Sequence, residues 1–190
     1  MGVYLSKEKL RLLARPDQVS RLVVMQEGHS ESVVGRFVRD VGSPETRWRF
    51  SFIHLSEPDV AGHRHGWMSQ SYVNAVFAAD AQIGRIRRAL TDAGLWEKTL
   101  FIVLSDHGGQ GRDHGESGLM EDFRIPWVAV GPGIPPGLII RRPVSTKDLA
   151  PTVLAASGLH PPVSMEGSAV VELFESGQPA MDPAASLSGS

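Results

Sequence analysis

Two short stretches of this chain carry residues able to do chemistry together. The first is Ser105-Asp106-His107-Gly108-Gly109, followed after a polar loop by His114 and Gly115. The second runs Asp59-Val60-Ala61-Gly62-His63, with His65 two residues further on. Asp offers a hard oxygen and neutral His a borderline nitrogen, the donor mixture that zinc accepts. The chain has no cysteine, so thiolate metal sites and disulfides are excluded. Five of the seven histidines, His54, His63, His65, His107 and His114, lie in the segment that holds both stretches. An Asp-His pair at a strand end also occurs as a capped turn with no ion, and for either stretch alone both readings stand. Two clusters of the same chemistry shift the balance towards metal. Five ligand-type groups, Asp59, His63, Asp106, His107 and His114, exceed what one tetrahedral zinc takes from protein. Two metals a few ångströms apart would use them, an arrangement that serves phosphoryl transfer.

The elements that must position these groups can be read around them. Leu100 to Ser105 reads as a buried strand, apolar and β-branched enough for the centre of a parallel sheet, and it delivers Asp106. Arg47 to Leu55 reads as a second such strand, with Trp48, Phe50, Phe52 and His54 on one face and Ile53 and Leu55 on the other. The stretch from Ser56 to Trp67 reads as a loop, because Pro58, Gly62 and Gly66 punctuate it. Functional groups gather at the carboxyl edge of open α/β sheets. The metal reading therefore requires the ends after Leu55 and Ser105 to lie side by side. His54, inside a strand, is expected in the core or behind the ligands. His65 reads as a solvent-exposed loop residue, with contact to substrate or an outer shell as the alternative. Trp67 and Trp127 read as packing residues, and Arg112 and Asp113 as substrate-facing or solvated.

The remaining chain supplies the frame. Ser6 can cap a short helix through Leu13 that Pro16 stops, and Arg21 to Met25 reads as a strand. Ser30 caps a helix to Asp40 with Val33, Val34, Phe37 and Val38 inward. Ser69 to Ala93 is the longest helix, with Tyr72, Val76, Ala79, Ile83, Ile86 and Leu90 as its stripe and Gly94 at its end. Asp80 falls on or near that stripe, where a buried structural hydrogen bond is the expectation. Ile125 to Val130 is a further strand. Thr146 can cap a helix through Ser157 with Leu149, Val153 and Leu154 inward, and Pro151 breaks or kinks it unless it sits in the first turn. Val163 to Phe174 holds a short last element. The pattern implies an α/β fold with a mainly parallel sheet and helices on both faces. One domain is expected over 1–174, and the small, polar tail 175–190 reads as disordered. Apolar residues at 42% and charged residues at 21% describe a soluble globular chain. A net charge of −2 argues against a nucleic-acid polymer or a membrane surface as partner. No run of about 18 apolar residues crosses a membrane, and MGVYLSKEKL lacks the apolar core of a signal peptide.

SEPDVAGHRHGW followed by SDHGGQGRDHG resembles the alkaline phosphatase superfamily, in particular its type I phosphodiesterase/nucleotide pyrophosphatase-like branch. The resemblance extends from Gly2 to Leu173, through DAGLWEKTLFIVLSDHGG, IPWVAVGPGI and STKDLAPTVLAASGL. It implies an alkaline phosphatase-like fold and two Zn2+ sites. Asp59, His63 and His114 would form one site, and Asp106 and His107 would belong to the other. It implies hydrolysis of a small-molecule phosphate ester. Sulfuric ester hydrolysis on the same scaffold is the alternative, and a non-enzymatic metal-binding fragment is a third reading. The family places its Thr or Ser nucleophile and a further metal-binding Asp in a segment that would precede Met1. The resemblance thus implies one complete metal site here, no catalytic nucleophile, a sheet lacking its first strand, and little turnover by the chain alone. Ser56, Ser105 and Ser117 stand near the motifs but read as structural.

Overall fold

Gly2–Leu5 (β1) is a strand that the sequence reading missed, and it is the centre of the first sheet. Arg21–Val24 (β2) and Ser51–Ile53 (β3) flank it, both parallel, in the order β2-β1-β3. Val3 stands opposite Leu22 on one side and Phe52 on the other. This is a computed structural model; it describes residues 1–15, 17–46, 48–115 and 118–174. Pro16, Arg47, Ser117 and the tail from Glu175, where the sequence predicts a helix stop, a strand start, a serine near the motifs and disorder, lie outside the described residues. The chain divides into two compact units. The first is Met1–Leu95 with Gly108–Phe123, and the second is Trp96–His107 with Arg124–Ser190.

In the first unit the alternation of side chains sorts β1 into two faces. Val3 and Leu5 pack with Ala14, Leu10, Val19, Leu22 and Val24, partly from the 3-10 turn Glu8–Leu13. Tyr4 points the other way and meets Phe37 edge-on, with centroids 5.4 Å apart at 88°. Its hydroxyl donates to Asp40 Oδ2 at 2.8 Å, and Arg21 grips the same carboxylate with two nitrogens at 2.7 and 3.2 Å. Burial pushes the Tyr4 phenol far above its ordinary range, and the hydrogen bond and charge of Asp40 add to this. Phe37 belongs to Ser30–Val41 (α1), which buries Val33, Val34 and Phe37 as its pattern predicts. The caps differ from the expectation. Lys7 and His29, not Ser6 and Ser30, hold the N-cap positions. Ser6 and Ser30 are buried and spend their hydroxyls on long-range bonds, to the His54 carbonyl and the Glu57 carboxylate.

Gln70–Asp92 (α3) starts where Ser69 Oγ accepts from the Tyr72 amide, and Gly94 follows it at φ 66°. Ile86 and Leu90 are buried, but Val76 and Asp80 are exposed. The expected buried bond of Asp80 is therefore not formed: the fully buried part of the stripe lies in the C-terminal half of the helix, and Tyr72 near its start is half-buried beside Trp67. β3 is shorter than the strand predicted, and Phe50 and Phe52 are exposed.

In the second unit Phe101–Leu104 (β4), expected at the centre of a parallel sheet, pairs antiparallel with Trp127–Val130 (β5) instead; among the described residues parallel pairing occurs in the first unit. The helix predicted from Thr146 is a 3-10 turn, Thr146–Asp148, running into Leu149–Ala156. Ser145 and Asp148 cap it reciprocally. Pro151 is the third residue of the α-helical part, where its missing N–H costs nothing. Thr152 is buried; its hydroxyl donates to the Asp148 carbonyl at 2.6 Å and accepts from the Val170 amide at 2.9 Å. The last element is the 3-10 turn Val171–Leu173. The fold is α/β, a small parallel sheet with helices. Among the described residues no helix is long and apolar enough to cross a membrane.

Candidate functional site

The stretch after Ser56 is a helix, Glu57–His65 (α2), and this is the main correction to the sequence reading. Each residue taken as a loop signal has another use. Pro58 lies in the first turn, where a missing N–H is harmless. Gly66 is the C-cap at φ 95°, a conformation that suits glycine. Gly62 is buried inside the helix against the indole of Trp67. The start of α2 is tied to the sheet edge by Ser56. Its buried hydroxyl donates to the Ser6 carbonyl and accepts from the Gly28 amide, both at 3.0 Å. Glu57 accepts from the Ser30 amide at 2.7 Å and from the Ser30 hydroxyl.

A helix puts residues four apart on one face, so Asp59 and His63 meet: His63 Nε2 lies 3.3 Å from Asp59 Oδ1. His114 arrives from the loop after Gly108 and sets its Nε2 3.8 Å from the same oxygen. One ligand atom from each of the three lies within 4.8 Å of the others. The loop is held by its backbone. The Gly108 and Gly109 amides donate to the carbonyls of Asp122 and Glu121 at 2.8 and 3.1 Å. Asp122 is buried, and its carboxylate accepts from the Gly115 amide at 2.9 Å. All these anchors come from Met120–Phe123 (α4). The Trp67 amide donates to the Gly111 carbonyl at 2.7 Å.

The donor set fits a divalent cation. His63 Nδ1 is 2.9 Å from the Arg112 carbonyl. A carbonyl only accepts, so Nδ1 carries a proton and Nε2 of the neutral ring turns its lone pair towards Asp59. A lone pair and a carboxylate oxygen facing each other at that distance call for a positive charge between them, a proton or a metal ion. Fixing the tautomer by a carbonyl at the far nitrogen is how metal-binding imidazoles are commonly oriented. The other oxygen, Asp59 Oδ2, receives Lys7 Nζ at 2.8 Å, and Lys7 also meets Glu27 at 3.2 Å. Burial works to lower the Lys7 ammonium's pKa, but the bonds to Asp59 and Glu27 prevail and hold it above its ordinary value. Lys7 was missed in the sequence. The signal was there: it follows β1 at the carboxyl edge of the parallel sheet, and only the strand itself went unread.

The other expected site residues are placed as follows. Asp106 and His107 belong to the second unit, just after β4, with Nε2 and Oδ2 3.7 Å apart. The Ser105 hydroxyl donates to the His107 carbonyl at 2.6 Å and so closes the turn. His54 is half-buried beyond β3, with Nδ1 3.2 Å from the Ser6 hydroxyl and its amide donating to the Tyr4 carbonyl. His65 is exposed at the end of α2. Arg112 acts through its carbonyl, and Asp113 Oδ1 accepts from the His114 amide at 2.8 Å.

The chain is similar to several known proteins. The chain is 32% identical over 125 residues to arylsulfatase K of Danio rerio, covering 64% of this chain and 23% of that protein. It is 31% identical over 140 residues to the multifunctional alkaline phosphatase superfamily protein PehA of Trinickia caryophylli, covering 69% and 27%. It is 28% identical over 139 residues to the extracellular sulfatase SULF-1 homolog of Drosophila melanogaster, covering 70% and 12%. The chain thus spans roughly a quarter or less of the length of these relatives. Residues 6–120, which include β2, β3, α2 and the loop that carries His114, match the family of type I phosphodiesterases and nucleotide pyrophosphatases, and the chain belongs to that family.

Proposed function

We propose that residues 1–174 form part of a metal-dependent hydrolase of phosphate esters, of the phosphodiesterase/nucleotide pyrophosphatase kind. Asp59, His63 and His114 would hold one divalent ion, with Zn2+ the best match to one carboxylate and two imidazoles. Asp106 and His107 would contribute to a second. An ion held there would polarise a phosphoryl oxygen and stabilise charge on the departing one. The chain's own residues prepare that site. The Arg112 carbonyl keeps the His63 proton on Nδ1, and Lys7 holds the Asp59 carboxylate from the side away from the imidazoles. The observation that carries the proposal is the convergence of the three ligand atoms.

Zinc titration calorimetry on the purified chain tests it. One tight zinc per chain is the expected result, and no binding above the level of a histidine-free control would overturn it. Turnover of bis(4-nitrophenyl) phosphate and of 4-nitrophenyl sulfate then separates the ester classes. The sulfatase reading is favoured by the names of two of the relatives, and faster release from the sulfate would establish it. One tight zinc with neither ester cleaved is what a metal-binding fragment would show.

A further inference from the structure

We propose that Trp67 is the positioning residue that sets the spacing of the two imidazoles, a reading that rests on the metal site proposed above. The indole fills a slot made by two glycines on different elements. A Cβ built on Gly62 of α2 would stand 2.7 Å from Trp67 Cδ2, and one built on Gly109 of the incoming loop would stand 2.2 Å from Cε2. Both distances are far inside van der Waals contact, and the atoms struck belong to a rigid ring. The ring is therefore the spacer between the helix that carries Asp59 and His63 and the loop that carries His114. Both imidazoles rest on it. His63 lies 5.1 Å from Trp67 at 85° between ring planes, and His114 lies 5.8 Å away at 68°. These are edge-to-face contacts, the arrangement aromatic rings favour. The imidazoles are 5.1 Å from each other.

The backbone of the same residue pins the same loop, through its bond to the Gly111 carbonyl. Gly66, immediately before it, makes that approach possible: a Cβ there would stand 3.1 Å from the Gly111 oxygen. One residue thus fixes the loop by its amide and both ligands by its ring. A tryptophan has only two side-chain torsions, so little entropy is lost in holding it. Without the ring His63 keeps its Arg112 anchor, but the loop loses the wall that aims His114.

The test is zinc affinity, measured by competition with a chromophoric chelator, together with the visible spectrum of the Co2+ form. Trp67→Ala should weaken zinc about 10- to 100-fold, the range for groups that orient ligands without touching the ion. It should also alter the cobalt bands, and Trp67→Phe should recover most of the loss. Gly109→Ala should weaken zinc in the natural background but add little to Trp67→Ala, because the ring it strikes is gone; such a cycle isolates the contact. If circular dichroism shows Trp67→Ala unfolded, the comparison moves to Trp67→Phe with and without Gly109→Ala, where the smaller ring should again blunt the glycine's effect. Affinities within twofold of the natural chain for Trp67→Ala and Gly109→Ala would overturn the inference, as would additive losses in the cycle. Asp59→Asn separates the two levels. If it leaves zinc binding unchanged, the metal site itself is wrong. If it abolishes binding while the Trp67 and Gly109 variants bind normally, only the positioning role is wrong.

Discussion

Asp59 with His63 and Asp106 with His107 are the same two residue types built in two ways. The first pair is four apart on a helix, so the backbone period alone brings the side chains together. His114, a carbonyl behind one imidazole and an ammonium behind the carboxylate complete the group. The second pair is consecutive in the turn after a strand, its two groups 3.7 Å apart, and the Asp106 side chain is 75% exposed against 19% for Asp59. Preorganisation therefore lies in the scaffold around a ligand and not in its identity. The largest predicted effect breaks or keeps this distinction. Asp59→Asn should reduce zinc affinity by more than about 100-fold, beyond what loss of an orienting neighbour costs. Asp106→Asn should leave the tightest zinc within about threefold. Equal losses in calorimetry would mean that the two pairs serve a single site on equal terms.

The same contrast explains what could be read from the residues alone. The convergence of Asp59, His63 and His114 was legible because two Asp/His clusters stand out in the sequence and the resemblance groups these three residues. The long α3 and the inward face of α1 were legible because their apolar periodicity runs over many residues; the shorter helix near Thr146 was placed, but Ser145 caps it and Pro151, Thr152 and Ala156 are the residues it buries. β1 was not: four residues give too little alternation to count, and its centrality comes from pairing with two distant strands. α2 was misread because Pro58, Gly62 and Gly66 each carry two meanings. Position within a helix, and an indole lying against one face, decide between a breaker and a fitted residue. Lys7 and Trp67 were undervalued for a related reason. Their roles are set by what reaches them from Asp59, Gly109 and His114, and no local pattern records such contacts.

Ion pairs in the two units repeat the comparison at smaller amplitude. In the first unit the Tyr4 hydroxyl is buried and bonded to Asp40, which Arg21 also holds. Tyr4→Phe should destabilise the chain by about 1.5 to 3 kcal/mol at neutral pH, the cost of a hydrogen bond to a charged group. The sign with pH follows from the raised phenol pKa. The contribution is complete below the unfolded value of about 10 and falls as pH rises towards the folded one. Urea denaturation at pH 7 and pH 10.5 should therefore show the gap between the natural chain and Tyr4→Phe narrowing at the higher pH. A gap that widens would contradict the assignment.

In the second unit Arg142 clasps Glu172 with contacts at 2.6 and 3.1 Å, at the surface. The guanidinium holds the Glu172 carboxyl below its ordinary value. Here the sign is reversed. The pair contributes above the unfolded glutamate pKa of about 4.3, and the contribution is lost as pH falls through the lower folded value. Exposure and screening keep it small. Glu172→Gln should move the thermal midpoint by no more than about 2 °C at pH 7, and by less in 1 M salt. The difference should disappear in acid, below the folded pKa of Glu172. A large shift that survives salt would show that Arg142, which also reaches the Ala169 carbonyl at 3.4 Å, organises the end of this unit as firmly as Asp40 organises the first.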